Sequence, residues 1–140
     1  MNGNRVSPRK RRSRTTLRQR TLPAKRILVV DDEMLIREVN AGILSRSGYQ
    51  TETAEDGEAA WKALQTNCYD LLITDNNMPK VSGLDLIKKL HAAHMALPVI
   101  MVSGNIPSEA WDRQACPEIA ATLPKPVSVK ELVGTVKKVL

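Results

Sequence analysis

Short apolar runs alternate along the chain with longer segments in which apolar residues recur every three or four positions. The first run, residues 27–30, contains only Ile, Leu and Val, which predicts a buried strand. The apolar residues that follow it at helical spacing end at Gly48, a residue suited to the C-terminal end of a helix. The alternation continues, predicting strands over residues 27–30, 49–54, 71–74, 98–102 and 121–123, and helices over residues 35–48, 56–67, 84–93, 108–116 and 128–140.

Two local signals support the last two helices. Pro117 should close the fourth, short helix, and Ser128 with Glu131 fits a capping box at the start of the fifth. Strands that alternate with helices on short connections favour a doubly wound parallel sheet, because right-handed crossovers place helices on both faces. We therefore expect an α/β fold of five βα units, with ligands bound at the C-terminal ends of the strands.

Charge divides the chain into two parts. Residues 1–26 carry ten Lys or Arg and no acid, which leaves eleven basic and fifteen acidic residues in the remainder. The first part lacks hydrophobic periodicity, whereas the whole chain has the 42% apolar content of a globular protein. We expect residues 1–24 to form a disordered basic tail and residues 25–140 to form one folded domain.

Several classes of protein are disfavoured. Cys68 and Cys116 lie far apart, without the spacing of a zinc site or a disulfide scaffold. His91 and His94 lack a nearby third ligand, so we expect them to be solvated surface residues. No run approaches the roughly 20 apolar residues of a membrane span, and no secretory signal follows the basic start, so we expect a cytoplasmic protein without membrane contact.

Polar residues follow the predicted strands at their C-terminal ends. Asp31 and Asp32 follow the first strand, Asp75 the third, Ser103 the fourth and Lys125 the fifth. A lone Asp in such a position is most often a helix cap or a surface acid, but capping does not explain the whole set. Three carboxylates close together repel one another and need a cation, and hard oxygen ligands suit Mg²⁺.

The motifs around these residues are specific as an ordered set. They are Val29-Val30-Asp31-Asp32-Glu33, Thr74-Asp75 followed by Met78-Pro79 and Gly83, Val102-Ser103-Gly104, and Lys125-Pro126. Over about residues 25–140 the chain resembles the receiver domain of two-component response regulators. The resemblance implies a flavodoxin-like sheet of strand order 2-1-3-4-5, and the end of the chain at the fifth helix suggests a stand-alone receiver.

The resemblance also implies roles for the acidic residues. Asp75 would be the phosphoryl acceptor, attacking phosphorus as a nucleophile. Asp32 and Asp75 would bind Mg²⁺ directly, together with the main-chain carbonyl of Asn77, while Asp31 would act mainly through ordered water. Such a domain is a phosphoacceptor signalling module rather than an enzyme, since it catalyses only its own phosphorylation and dephosphorylation.

The remaining motif residues would respond to phosphorylation of Asp75. By the resemblance, Lys125 pairs with a carboxylate before phosphoryl transfer and with the phosphoryl group after it. The resemblance also implies that the Lys125-Pro126 peptide bond is cis. Ser103 would donate its hydroxyl to the phosphoryl group and draw the following loop with it. The family often has Tyr or Phe where this chain has Thr122, so the aromatic part of the switch is missing. Trp111 is either a contact residue for a partner or a partly buried packing residue.

Three functions are weighed on these grounds. The first is phosphorelay signalling, with the phosphoryl group supplied by a histidine kinase or phosphotransfer protein and the signal passed by contact with a separate downstream protein. The alternative is a phosphorylation-independent scaffold whose basic tail, residues 5–20, makes weak, non-specific contacts with nucleic acid. A flavodoxin-like electron carrier is disfavoured, because the acids at residues 31–33 would repel a cofactor phosphate.

Overall fold

The computed structural model describes residues 23–112 and 114–140, in which a parallel sheet lies between two layers of helices. The strands are β1 (Arg26–Val30), β2 (Gln50–Ala54), β3 (Leu71–Thr74), β4 (Val99–Ser103) and β5 (Ile119–Pro124). The helices are α1 (Met34–Arg46), α2 (Gly57–Thr66), α3 (Gly83–Ala92) and α4 (Val129–Val139), with a 3₁₀ helix at Ser108–Trp111. The strand order is β2-β1-β3-β4-β5 and every pairing is parallel, so the expected fold and order are confirmed.

The two faces of the sheet bury separate aliphatic clusters. Along β1, Leu28 and Val30 pack with residues of α2 and α3, whereas Ile27 and Val29 pack with residues of α1 and α4. All four side chains are buried, which explains why β1 is an uninterrupted apolar run rather than an alternating one. The core is filled by aliphatic side chains, as expected for a chain without Phe.

The sheet has its topological switch point at β1. Strand β1 pairs with β2 on one side and with β3 on the other. The connections that follow β1 and β3 therefore leave the C-terminal ends of these two strands in opposite directions. A crevice therefore opens beyond β1 and β3, which is where ligands bind in sheets of this kind.

Helix ends follow the signals in the sequence. Gly48 has a φ of 101° just after α1, a conformation that glycine adopts without strain. The capping box of Ser128 and Glu131 is present at α4. At the start of α2 the side chain of Asp56 accepts a hydrogen bond from the Ala59 amide at 2.8 Å.

The predicted fourth helix is wrong in extent. Instead of a helix over residues 108–116, the structure has the short 3₁₀ helix followed by turns. The side chain of Asp112 accepts hydrogen bonds from the amides of Gln114 and Ala115 at 2.9 and 3.3 Å, and such side-chain bonds compete with helix formation. Strand β5 is also longer than predicted, because it begins before residue 121.

The tail prediction lies almost entirely outside the described residues. Only Pro23 and Ala24 of the predicted tail belong to them, and the basic segment 5–20 does not. Within residues 23–112 and 114–140, no helix combines the length and apolar character that crossing a bilayer requires.

Two glycines provide a matched test of packing in this fold. A Cβ atom on Gly83 would lie 2.2 Å from the carbonyl oxygen of Asp75, whereas a Cβ atom on Gly134 in α4 would meet nothing within 4 Å. We expect Gly83→Ala to lower the free energy of unfolding by about 1–3 kcal/mol. Gly134→Ala should raise it by about 0.5–1 kcal/mol through helix propensity. Urea denaturation measures both, and an unchanged stability in Gly83→Ala would contradict the close approach.

Candidate functional site

The C-terminal ends of β1 and β3 bring three carboxylates together. The amide of Asp75 donates to the Val30 carbonyl at 3.1 Å, which fixes the end of β3 beside the end of β1. One carboxylate oxygen from each of Asp31, Asp32 and Asp75 lies within 4.8 Å of the others. Asp31 and Asp75 are only 4% and 6% exposed, while Asp32 is exposed to solvent.

Asp31 is held from several sides. Its Oδ1 accepts the Glu33 amide at 2.9 Å, and its Oδ2 accepts the ammonium of Lys125 at 2.9 Å. Its main-chain carbonyl accepts a hydrogen bond from Nη1 of Arg37 at 2.9 Å. Both carboxylate oxygens therefore already accept one hydrogen bond each.

Asp75 is buried and hydrogen-bonded in a similar way. Its Oδ1 accepts the Asn77 amide at 3.2 Å and its Oδ2 accepts the Lys125 ammonium at 3.0 Å. For Asp32 we find no hydrogen bond or ion pair with another described residue. The carboxylate of Asp32 is thus free to bind an incoming cation.

Lys125 lies between the buried acids. Its side chain is 17% exposed, and its Nζ also lies 3.7 Å from Oε1 of Glu33. Burial by itself lowers the pKa of Lys125, but the hydrogen bonds that its ammonium donates to Asp31 and Asp75 outweigh this effect and hold the pKa above its ordinary value. Lys125 therefore stays charged when it is packed among carboxylates.

The charges at this edge do not balance. Four carboxylates, those of Asp31, Asp32, Glu33 and Asp75, lie at this edge with one ammonium group and the Arg37 guanidinium, which leaves a formal excess of negative charge. Clustered carboxylates and main-chain carbonyls are the donor set that Mg²⁺ prefers, and the exposed side at Asp32 leaves room for water ligands. The residues present fit this ion.

The segment after Asp75 is anchored by Asn76. Its main-chain carbonyl accepts the Gly83 amide and its side-chain Oδ1 accepts the Leu84 amide, both at 3.0 Å. These bonds tie the β3–α3 loop, residues 75–82, to the first turn of α3 and hold Asn77 beside Asp75. Sequence reasoning identified Asn77 but missed Asn76 and Arg37, since both act mainly on main-chain groups that the pattern of residues does not reveal.

Ser103 is buried at the end of β4, one strand away from Asp75. Its hydroxyl can donate to the Asn105 carbonyl and accept from the Asn105 amide, both at 3.3 Å. The Lys125 amide donates to the Ser103 carbonyl at 3.0 Å, so the ends of β4 and β5 are joined. The Lys125-Pro126 bond is cis, as expected, and Thr122 lies half-buried opposite Met101.

The remaining candidates lie away from this edge. Trp111 is 64% exposed on the 3₁₀ helix, which favours the contact residue over the packing residue. His91 is on the surface as expected but is not merely solvated, because its Nδ1 lies 2.8 Å from Oε2 of Glu118. Both cysteines are free thiols, Cys68 exposed and Cys116 buried.

Known proteins resemble this chain in sequence and share its fold. The family model described as response regulator receiver domain matches residues 27–137. The alkaline phosphatase synthesis transcriptional regulatory protein PhoP of Bacillus subtilis is 36% identical over 118 residues, which cover 83% of this chain and 48% of PhoP. The sensor histidine kinase RcsC of Salmonella typhi is 37% identical over 111 residues, which cover 78% of this chain and 12% of RcsC.

A solved structure gives the same result. The crystal structure of response regulator protein TrrA from Thermotoga maritima in complex with Mg(2+)-BeF is 35% identical and superposes with a TM-score of 0.73, covering 83% of this chain and 99% of that chain. The chain spans about half the length of PhoP and about an eighth of RcsC.

Lys125→Met tests the charge balance of the site. The variant leaves Asp31 and Asp75 buried without their cation, so we expect the free energy of unfolding to fall by about 1–3 kcal/mol. Added Mg²⁺ should recover part of this loss, because it restores positive charge beside the carboxylates. Lys137→Met removes an exposed lysine from α4 and serves as control. Equal stability of the two variants in urea would refute the bridging role of Lys125.

Proposed function

Since this chain belongs to the response regulator receiver domain family, we propose that Asp75 accepts a phosphoryl group and that the folded domain is a phosphorylation-controlled signalling module. The observation that carries the proposal is the pair of hydrogen bonds from Lys125 to Asp31 and Asp75, beside the exposed carboxylate of Asp32. Capping or surface solvation would not bring three acids and a half-buried lysine to one strand edge.

Asp75 has the chemistry of a nucleophile. One of its carboxylate oxygens forms a bond to phosphorus while the bond from phosphorus to the donor's leaving atom breaks. The Asn77 amide and the Lys125 ammonium orient the carboxylate, each on a different oxygen. The reaction is stoichiometric on the domain itself, so the protein acts as a phosphoacceptor rather than as an enzyme with turnover on other molecules.

Mg²⁺ would be held by the carboxylates of Asp32 and Asp75 and by the main-chain carbonyl of Asn77. Asp31, whose oxygens accept hydrogen bonds from Glu33 and Lys125, would act mainly through ordered water. The ion, when bound, offsets the negative charge of the transferring group. The structure of TrrA in complex with Mg(2+)-BeF supports this assignment by similarity.

Lys125 and Ser103 would respond to the product. The ammonium of Lys125 already contacts Asp75 and would pair with the new phosphoryl oxygens as a point charge. The Ser103 hydroxyl would turn from Asn105 toward the phosphoryl group and draw the segment after β4 with it. Because the Lys125 amide holds the Ser103 carbonyl, this movement is coupled to the end of β5. Thr122 provides no aromatic ring for that change.

An apolar surface beside the site supports a protein as the phosphoryl donor. Met34, Leu35 and Val39 on α1 are 62%, 75% and 56% exposed, and Val129 at the start of α4 is 57% exposed. Leu35 and Val39 line a groove of about 440 Å³ that reaches Lys125. Exposed apolar patches of this kind mark interaction sites, so a histidine kinase or phosphotransfer protein would dock here and place its phosphohistidine over Asp75.

The output is contact with a separate downstream protein, and Trp111 is the exposed aromatic residue available for it. Both a transcriptional regulator and a sensor kinase contain regions that match this chain, so the match alone does not select the output. The alternative of a nucleic-acid-binding scaffold depends on residues 5–20, outside the described part of the chain, and does not account for the acids around Lys125.

Phosphoryl transfer from a small donor tests the acceptor. We expect acetyl phosphate to add one phosphoryl group to the full chain only when Mg²⁺ is present, and Asp75→Asn to abolish the addition because the nucleophile is lost. Intact mass spectrometry gives the readout. Asp85→Asn, at an exposed position in the first turn of α3, is the matched control and should behave as wild type. Addition to Asp75→Asn at the wild-type level would remove Asp75 from its role.

Transfer from a protein donor tests the docking surface. We expect the double variant Met34→Gln/Leu35→Gln to slow transfer from a phosphorylated histidine kinase by about ten-fold, since apolar burial on α1 is lost. Acetyl phosphate, which needs no such surface, should react at the wild-type rate. Trp111→Gln changes an exposed apolar residue elsewhere and should leave both rates unaltered. Slowing with both donors would point to a damaged site rather than a docking surface.

A further inference from the structure

Lys80 has an unusual backbone conformation in the β3–α3 loop. Its φ is 71°, in the left-handed region that residues with a side chain rarely adopt. The Val81 amide donates to the Pro79 carbonyl two residues back at 2.8 Å, so Lys80 is the central residue of a tight and strained three-residue turn. Glycine would adopt this conformation at lower cost. Strain of this kind persists only where surrounding contacts hold it.

The side chain of Lys80 contacts the start of α2. Its Nζ lies 3.5 Å from Oδ2 of Asp56 and 3.4 Å from Oε1 of Glu58. Asp56 is itself buried and fixed as the cap of α2. The hydrogen bond from the Ala59 amide, with the charge of Lys80, holds the pKa of Asp56 below its ordinary value. Lys80 therefore contacts a carboxylate that is itself fixed in place on a neighbouring element.

Backbone packing brings the same two elements together. A Cβ atom on Gly57, the first residue of α2, would lie 2.2 Å from the Val81 carbonyl oxygen. The β3–α3 loop thus touches α2 on one side, and at its far end Gly83 packs against the carbonyl of Asp75. The position of α2 is in this way linked to the position of the main chain that follows the acceptor.

We propose that Lys80 is a positioning residue for the acceptor site, which ties the β3–α3 loop to Asp56 and Glu58 and so fixes the main chain of Asn77 beside Asp75. The inference rests on the proposed function and adds a residue to it. Lys80 is exposed, and exposed ion pairs contribute little to stability. Its effect should therefore appear in the affinity of the site for Mg²⁺ rather than in the stability of the fold.

The test separates the ammonium group from the strained backbone. Lys80→Met keeps the length of the side chain and the strain, Lys80→Gly removes both the side chain and the strain, and Lys80→Arg keeps the charge. Each full-length variant is titrated with Mg²⁺ while the amide NMR signals of Asn77 and Gly83 are followed. We expect Mg²⁺ affinity to fall about two- to five-fold in both Lys80→Met and Lys80→Gly, as for the loss of an exposed ion pair, and to return largely in Lys80→Arg.

Unfolding midpoints in urea provide the second readout. Lys80→Gly should be more stable than Lys80→Met, because the strained turn is relieved, yet bind Mg²⁺ no better. Adding Glu58→Gln to Lys80→Met should lower the Mg²⁺ affinity by less than Glu58→Gln lowers it in the wild type, since the lysine partner of Glu58 is already gone. Lys137→Met is the matched control for loss of one positive charge.

Two results would overturn the proposal. One is unchanged Mg²⁺ affinity in Lys80→Met and Lys80→Gly, and the other is an affinity that follows the unfolding midpoint, with Lys80→Gly restored to the wild-type value. Acetyl phosphate treatment of the wild type is run in parallel. Absence of phosphoryl uptake there would count against the proposed function, while the Mg²⁺ titrations would still decide the role of Lys80.

Discussion

The ammonium of Lys125, placed between the buried carboxylates of Asp31 and Asp75, is the interaction on which the rest of the site depends. Two ionised acids that are almost fully buried repel each other strongly, and a cation between them offsets that repulsion. Lys125 supplies this cation at 2.9 and 3.0 Å, but Asp32 and Glu33 add two more carboxylates. The site is therefore stable enough to form and still negative enough to attract a divalent ion.

The strand order of the sheet places these charged side chains together at the C-terminal ends of the strands. The order β2-β1-β3-β4-β5 puts the ends of β1 and β3 next to each other, while β4 carries Ser103 and β5 leads into Lys125. Close backbone approaches, at Gly83 to Asp75 and at Gly57 to Val81, then fix the loop that follows Asp75. A change of charge at Asp75 would act on a main chain that is closely packed at both of these approaches. That packing makes the site suitable for a switch.

Much of this could be predicted from the sequence because the informative residues follow short apolar strands. Asp31, Asp32, Asp75 and Lys125 follow the ends of strands and Ser103 is the last residue of β4, and parallel strands gather such residues at one edge. The helix over residues 108–116 was wrong because Asp112 bonds to the amides of Gln114 and Ala115, a local competition that apolar spacing does not report. The contacts of Arg37, Asn76 and Lys80 also escaped prediction, since each depends on main-chain groups or elements brought close only by the tertiary fold.

We propose that Asp75, rather than another acid of the cluster, carries the phosphoryl group. The most direct test begins by incubating the protein with Mg²⁺ and acetyl phosphate. Borohydride is then added, because it reduces an aspartyl phosphate to homoserine, and peptide mass spectrometry locates the homoserine. We expect homoserine at position 75 and unmodified Asp31 and Asp32. Homoserine at position 31 or 32, or at no position, would contradict the proposal.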